Sequence, residues 1–149
     1  MRENDSLKAE YLLIQGQYED FDKRALSLKA LATPLLGAGL AVGIKEHSAT
    51  ILAATVGVAL TLWLLETIWK SFQYSFVPRI EALEAWFRGE GAADAIEPFQ
   101  VYTQWNKSWS GRLSRYDSML RVWWQPFVAL PYLIIVLFGA WAIYTTLCG

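Results

Sequence analysis

Residues 25–44 read ALSLKALATPLLGAGLAVGI, residues 45–48 read KEHS, and residues 49–69 read ATILAATVGVALTLWLLETIW. The first run carries one charge, Lys29, and at ~1.5 Å of rise per residue it just covers a hydrocarbon core of roughly 30 Å. The second run is uncharged through Leu65, is interrupted by Glu66 and closes at Lys70. Only Lys45, Glu46, His47 and Ser48 separate the two, so they are expected to form an antiparallel transmembrane helical hairpin. A third run, FVALPYLIIVLFGAWAIYTTLC at 127–148, has no charge at all and predicts a C-terminal transmembrane helix.

These runs hold most of the apolar material in the chain, which is 149 residues long, 54% hydrophobic and 18% charged, with 8 Trp, 7 Tyr and 7 Phe. The concentration of apolar residues in three runs argues for an all-α membrane protein rather than a water-soluble globule with one oversized core. A net charge of -1 gives no electrostatic basis for binding nucleic acid. One cysteine, Cys148, precludes an internal disulfide framework, and one histidine, His47, leaves no multi-histidine metal centre. No cofactor is expected. Glu66, Asp94, Glu97 and Asp117 are scattered carboxylates without a paired motif, and no phosphate-binding glycine loop is present, so a non-enzymatic role is expected.

The first 24 residues are charged and helical in pattern, unlike a cleavable signal peptide, so the N-terminus is expected to be retained. Of all Lys and Arg, only Lys45 falls in the hairpin turn, and nothing basic follows the third run. The positive-inside rule then places the N-terminus and the middle segment in the cytoplasm and the C-terminus outside, in a bacterial inner membrane. Trp123 and Trp124 beside Arg121, with Trp141 and Tyr144 at the other end, suit the two interfaces of the third span.

The polar parts are patterned as well. Leu7, Tyr11, Ile14, Tyr18, Phe21, Ala25 and Leu28 recur in alternating steps of 4 and 3, with Glu10, Gln15, Gln17, Glu19, Asp20, Asp22, Lys23 and Arg24 between them. Asn4, Asp5 or Ser6 can cap such a helix, which is expected to run from residue 6 into the first span and on to 45. Trp69, Phe72, Phe76, Ile80, Leu83 and Phe87 form a second stripe, with Lys70, Gln73, Glu81, Glu84 and Arg88 outside it. Span 2 is thus expected to continue as a cytoplasmic stalk over 48–88, kinked at Pro78. The two stripes can pack on each other or form a docking surface. Residues 89–108 read as a loop, and 109–124 as an amphipathic helix with Leu113, Tyr116, Leu120 and Trp123 on one side. The whole chain, 1–149, is read as one helical membrane domain.

Within the spans, Gly39 and Gly43 form one row of small residues, and Ala49, Ala53 and Gly57 another; such rows pack a hairpin internally or serve as an oligomer interface. Counted outward from His47, Lys29 and Glu66 fall at nearly the same depth, which suits an ion pair, separate snorkelling to the interface, or a gating role. His47 itself suits an exposed turn. Thr50 and Thr61 share a face, but Thr55 does not, so no continuous polar stripe marks an aqueous pore.

The stretches Lys8-Ala-Glu-Tyr-Leu-Leu13, Tyr18-Glu-Asp-Phe-Asp-Lys-Arg-Ala-Leu-Ser-Leu-Lys29 and Trp69-Lys-Ser-Phe-Gln-Tyr-Ser-Phe-Val-Pro-Arg-Ile80, set around a two-span hairpin, resemble small bacterial membrane proteins found beside anti-phage defence genes. Their plan is similar to that of the SLATT effectors, a two-span hairpin with helical cytoplasmic extensions thought to form a pore when a sensor signals infection. The resemblance covers residues 8 to 88 and leaves the third span as an addition. It implies a homo-oligomer in contact with membrane lipid, responding to a cytoplasmic sensor or effector protein. An anchor or scaffold that recruits a soluble complex through its stalk is the alternative expectation.

Overall fold

A computed structural model describes residues 4–92 and 95–148, with the side chain of Tyr116 excepted. Asp94 and the Tyr116 side chain, both invoked above, and Arg2, one of the basic residues of the N-terminal segment, lie outside the described residues. Every regular element among the described residues is helical: α1 (Asp5–Lys45), α2 (Ala49–Tyr74), α3 (Val77–Arg88), α4 (Val101–Leu113), α5 (Tyr116–Trp123) and α6 (Pro126–Cys148). Three helical stretches, in Asp5–Lys45, Ala49–Arg88 and Pro126–Cys148, are long and apolar enough to cross a membrane.

Local chemistry sets the boundaries. Asn4 Oδ1 accepts the backbone N–H of Ser6 and Leu7 and so caps α1. His47, at φ 49°, makes the turn before α2. Pro78 lies in the first turn of α3, where its missing N–H costs no helical bond, and Gly89, at φ 88°, ends that helix in the left-handed conformation that glycine adopts freely.

Three boundaries differ from the sequence expectation. The stalk expected over 48–88 is two helices, because Pro78 interrupts the helical bonding and α2 ends at Tyr74. The segment 89–108 is not a loop throughout, since α4 begins at Val101, and the helix expected at 109–124 divides between α4 and α5. Trp105 and Trp109 drive the earlier start by packing on α2, a tertiary contact that no local pattern announces.

The chain divides into two compact units: 1–23 with 69–119, and 24–68 with 120–149. In the first, Leu7, Ile14, Leu83 and Trp86 form the buried cluster, with Tyr11, Phe76, Ile80, Phe87, Ile96 and Val101 against it. In the second, Leu36, Ala59, Trp63, Val128, Ala129 and Tyr132 form one cluster, and Leu40, Leu52 and Ala142 another. The second unit turns Leu31, Leu35, Val58, Leu64, Ile134 and Leu137 outward. Large apolar side chains presented outward on three long helices are what a lipid environment solvates.

Candidate functional site

In the unit formed by 24–68 and 120–149, three helices bring polar groups to one point. Lys29 Nζ on α1 lies 2.7 Å from Glu66 Oε1 on α2. The same ammonium donates to the main-chain carbonyl of Phe127 on α6. Glu66 is only 1% exposed, and Tyr132 of α6, also buried, lies within interaction distance of it. A carboxylate removed from water this completely needs a compensating cation, and Lys29 supplies it. Trp63 walls the site: its Nε1–H donates to Trp123 O at 3.0 Å, and its ring stacks on Trp123 at 4.4 Å and on Tyr132 at 6.5 Å.

Close backbone approach supports this arrangement. A Cβ on Gly39 would meet Thr55 Oγ1 at 2.5 Å, one on Gly43 would meet Leu52 Cδ2 at 2.7 Å, and one on Gly139 would meet Val56 Cγ2 at 2.5 Å. Only glycine fits at these three points. The other small row behaves differently. Ala53 and Gly57 face outward, Ala49 is half-buried, and a side chain on Gly57 would enter open space, so this row does not pack the unit internally. Leu52, Thr55 and Ala59 take the inward positions instead. Thr55, Thr61 and Thr67 each donate their hydroxyl to a carbonyl one turn back in α2, which leaves no row of free hydroxyls to line a water path. An apolar groove of about 460 Å³, lined by Leu28, Leu31, Leu35, Ile51, Val58 and Leu62 among others, holds no ionisable group.

In the unit formed by 1–23 and 69–119, the two apolar stripes do not simply face each other. Glu10, assigned to a solvated face by its spacing, is buried: it pairs with Arg79 Nε at 2.8 Å and accepts the Phe99 N–H at 2.9 Å. Arg79 also donates to Glu97 O at 2.7 Å. Lys70 and Gln73, placed outside the stripe by the periodicity, are buried too. Lys70 binds Asp22 and, at 2.8 Å, Gln73; the Gln73 amide donates to Tyr18 O at 2.8 Å. The polar side of α2 therefore faces α1, and its aromatic side is covered by α4. Phe72 stacks on Trp109 at 4.0 Å and on Trp105 at 5.5 Å, while Phe76 lies against Trp105 and Phe21. Leu83, Ile80 and Phe87 pack with Tyr11 and Ile14.

The Tyr11 hydroxyl donates to Glu84 Oε1 at 3.1 Å, which together with partial burial holds its pKa above the ordinary tyrosine value. Burial raises that of Tyr18 as well, with nearby Tyr74 and Asp22 adding to the shift.

No family model matches the chain, and neither the curated proteins nor the solved structures contain a match to it. Among the described residues there is no cluster of His, Cys, Asp and Glu able to hold a metal ion. The chemistry on offer is that of a buried carboxylate paired with an ammonium.

Proposed function

We propose that this chain is a non-enzymatic membrane protein of the bacterial inner membrane, acting as an oligomeric effector whose spans perturb the membrane when its cytoplasmic helices receive a signal. The observation that carries the reading is the Lys29–Glu66 pair, a buried charge set in a unit whose outer surface is apolar. Ionisable groups inside a membrane are costly, roughly 2.5 to 3.5 kcal/mol each at mid-depth on insertion scales, so they persist where they pair or act. In this reading α1 and α2 form a transmembrane hairpin, α6 is the third span, and residues 1–23 and 69–119 lie on the cytoplasmic side. The distribution of Lys and Arg supports that orientation. The resemblance to SLATT effectors in residues 8 to 88 supports the defence role.

A second reading, an anchor that recruits a soluble complex, is favoured by one observation. Phe99 is 83% exposed and held at φ 65°, an unfavourable conformation for a residue with a side chain, beside exposed Tyr102.

Two measurements test the first reading. An impermeant thiol reagent on intact cells should label Cys148 but should not label a cysteine introduced by Lys107→Cys in a Cys148→Ser chain; labelling of the latter overturns the orientation. A potential-sensitive dye should report depolarisation when the chain is expressed with its partner and trigger. An unchanged potential, with a soluble complex co-purifying stably, selects the anchor.

A further inference from the structure

Proline has no backbone N–H, so a proline inside a helix cannot bond the carbonyl four residues before it. In α6 the proline is Pro131, and the carbonyl four residues before it is Phe127. That carbonyl is the one to which Lys29 donates. A cationic side chain from another helix thus reaches the carbonyl that the amide of residue 131 would bond if that residue were not proline.

From this geometry we infer that Pro131 positions α6 by presenting the Phe127 carbonyl to Lys29, so that one ammonium bridges all three spans: its own α1, Glu66 of α2 and Phe127 of α6. A main-chain carbonyl in a low-dielectric region is a strong partner for a cation, and a bond made only when α6 is docked favours docking by its full strength. The bridge acts as a latch. With α6 in place, Glu66 is covered by Tyr132 and Val128 belongs to the buried cluster beside it. With α6 displaced, the Lys29–Glu66 pair faces lipid, where it draws in water and thins the apolar barrier. This deepens the effector reading and rests on it, naming α6 as the element whose release perturbs the membrane.

The test is a double-mutant cycle read by thiol reactivity in the full-length chain in membranes. In a Cys148→Ser, Ala142→Cys chain, the introduced thiol replaces a residue that is 2% exposed and packed with Leu40 and Leu52. Because displacement of α6 draws in water, in which the thiol can ionise, its rate of labelling by N-ethylmaleimide then follows the undocked fraction of α6. Pro131→Ala restores an amide that competes for the Phe127 carbonyl, and should raise the rate about tenfold while Lys29 is present. Lys29→Met should raise it at least as much. In the Lys29→Met chain, Pro131→Ala should change nothing further, because the bond is already gone. An equal effect of Pro131→Ala in both chains, or no effect in either, overturns the latch. Pro131→Leu, which restores the same amide, replaces Pro131→Ala if that variant does not accumulate. The labelling rate does not depend on ion leakage, so a failed latch and a failed effector reading give different results.

Discussion

Glu10 and Arg79, on α1 and α3, form a 2.8 Å ion pair with only 3% and 7% of their side chains left exposed. The pair is completed by the Phe99 N–H and the Glu97 carbonyl, so both charges keep hydrogen-bond partners after losing water.

Removing one member strands the other. Arg79→Met is expected to destabilise the chain by ~3 to 5 kcal/mol, and Glu10→Gln, which keeps an acceptor for the Phe99 N–H, by less. Denaturation in detergent followed by circular dichroism measures both; equal and small effects would show that the pair is not buried in solution.

The three glycines at close contacts are expected to separate sharply from Gly57. Gly39→Val forces a side chain against Thr55 and should cost ~1 to 3 kcal/mol, whereas Gly57→Ala enters open space and should stay within ~0.5 kcal/mol of the parent. The same melting measurement compares them.

Trp109 covers Phe72 through a 4.0 Å stack, so Trp109→Ala should cost ~2 kcal/mol and raise protease sensitivity between α4 and α5. Tyr102→Ala, at an exposed position, is the matched control and should change neither.

Tyr11 and Tyr18 both titrate above the ordinary value of 10.0 when folded. The folded chain therefore still holds these protons at a pH where the unfolded chain has released them. Their contribution is fully present below about pH 10 and is lost as pH rises through their folded pKa values. Tyr11→Phe should flatten the alkaline loss of stability relative to the parent; an identical pH profile would contradict the Tyr11–Glu84 bond.

Parts of this architecture are legible in the sequence and parts are not. The three apolar stretches follow from hydropathy and length alone, and counting outward from His47 puts Lys29 and Glu66 at one level, where the two charges do meet. Periodicity misassigned Glu10, Lys70 and Gln73, because a stripe reports where apolar residues recur and not which polar residues find buried partners. Trp105 was hidden for a related reason: its packing on Phe72 joins positions far apart in the chain, and the glycine-rich stretch before it reads locally as loop. Phe127 could not be found from its own side chain, because its carbonyl is the partner. The available signal was Pro131, four residues later, read together with a lone lysine in another apolar run.

The central claim is that the Lys29 bridge keeps the spans closed, and it is tested most directly by a potential-sensitive dye in bacterial cells expressing the parent chain or Lys29→Glu at matched levels in the membrane. Lys29→Glu sets a carboxylate against both Glu66 and the Phe127 carbonyl and so breaks both contacts at once. The account predicts depolarisation by Lys29→Glu without any trigger, a parent chain that holds the potential, and only partial recovery in Lys29→Glu/Glu66→Lys, which restores the ion pair but not the bond to Phe127. A Lys29→Glu chain that inserts normally and leaves the potential unchanged would contradict it.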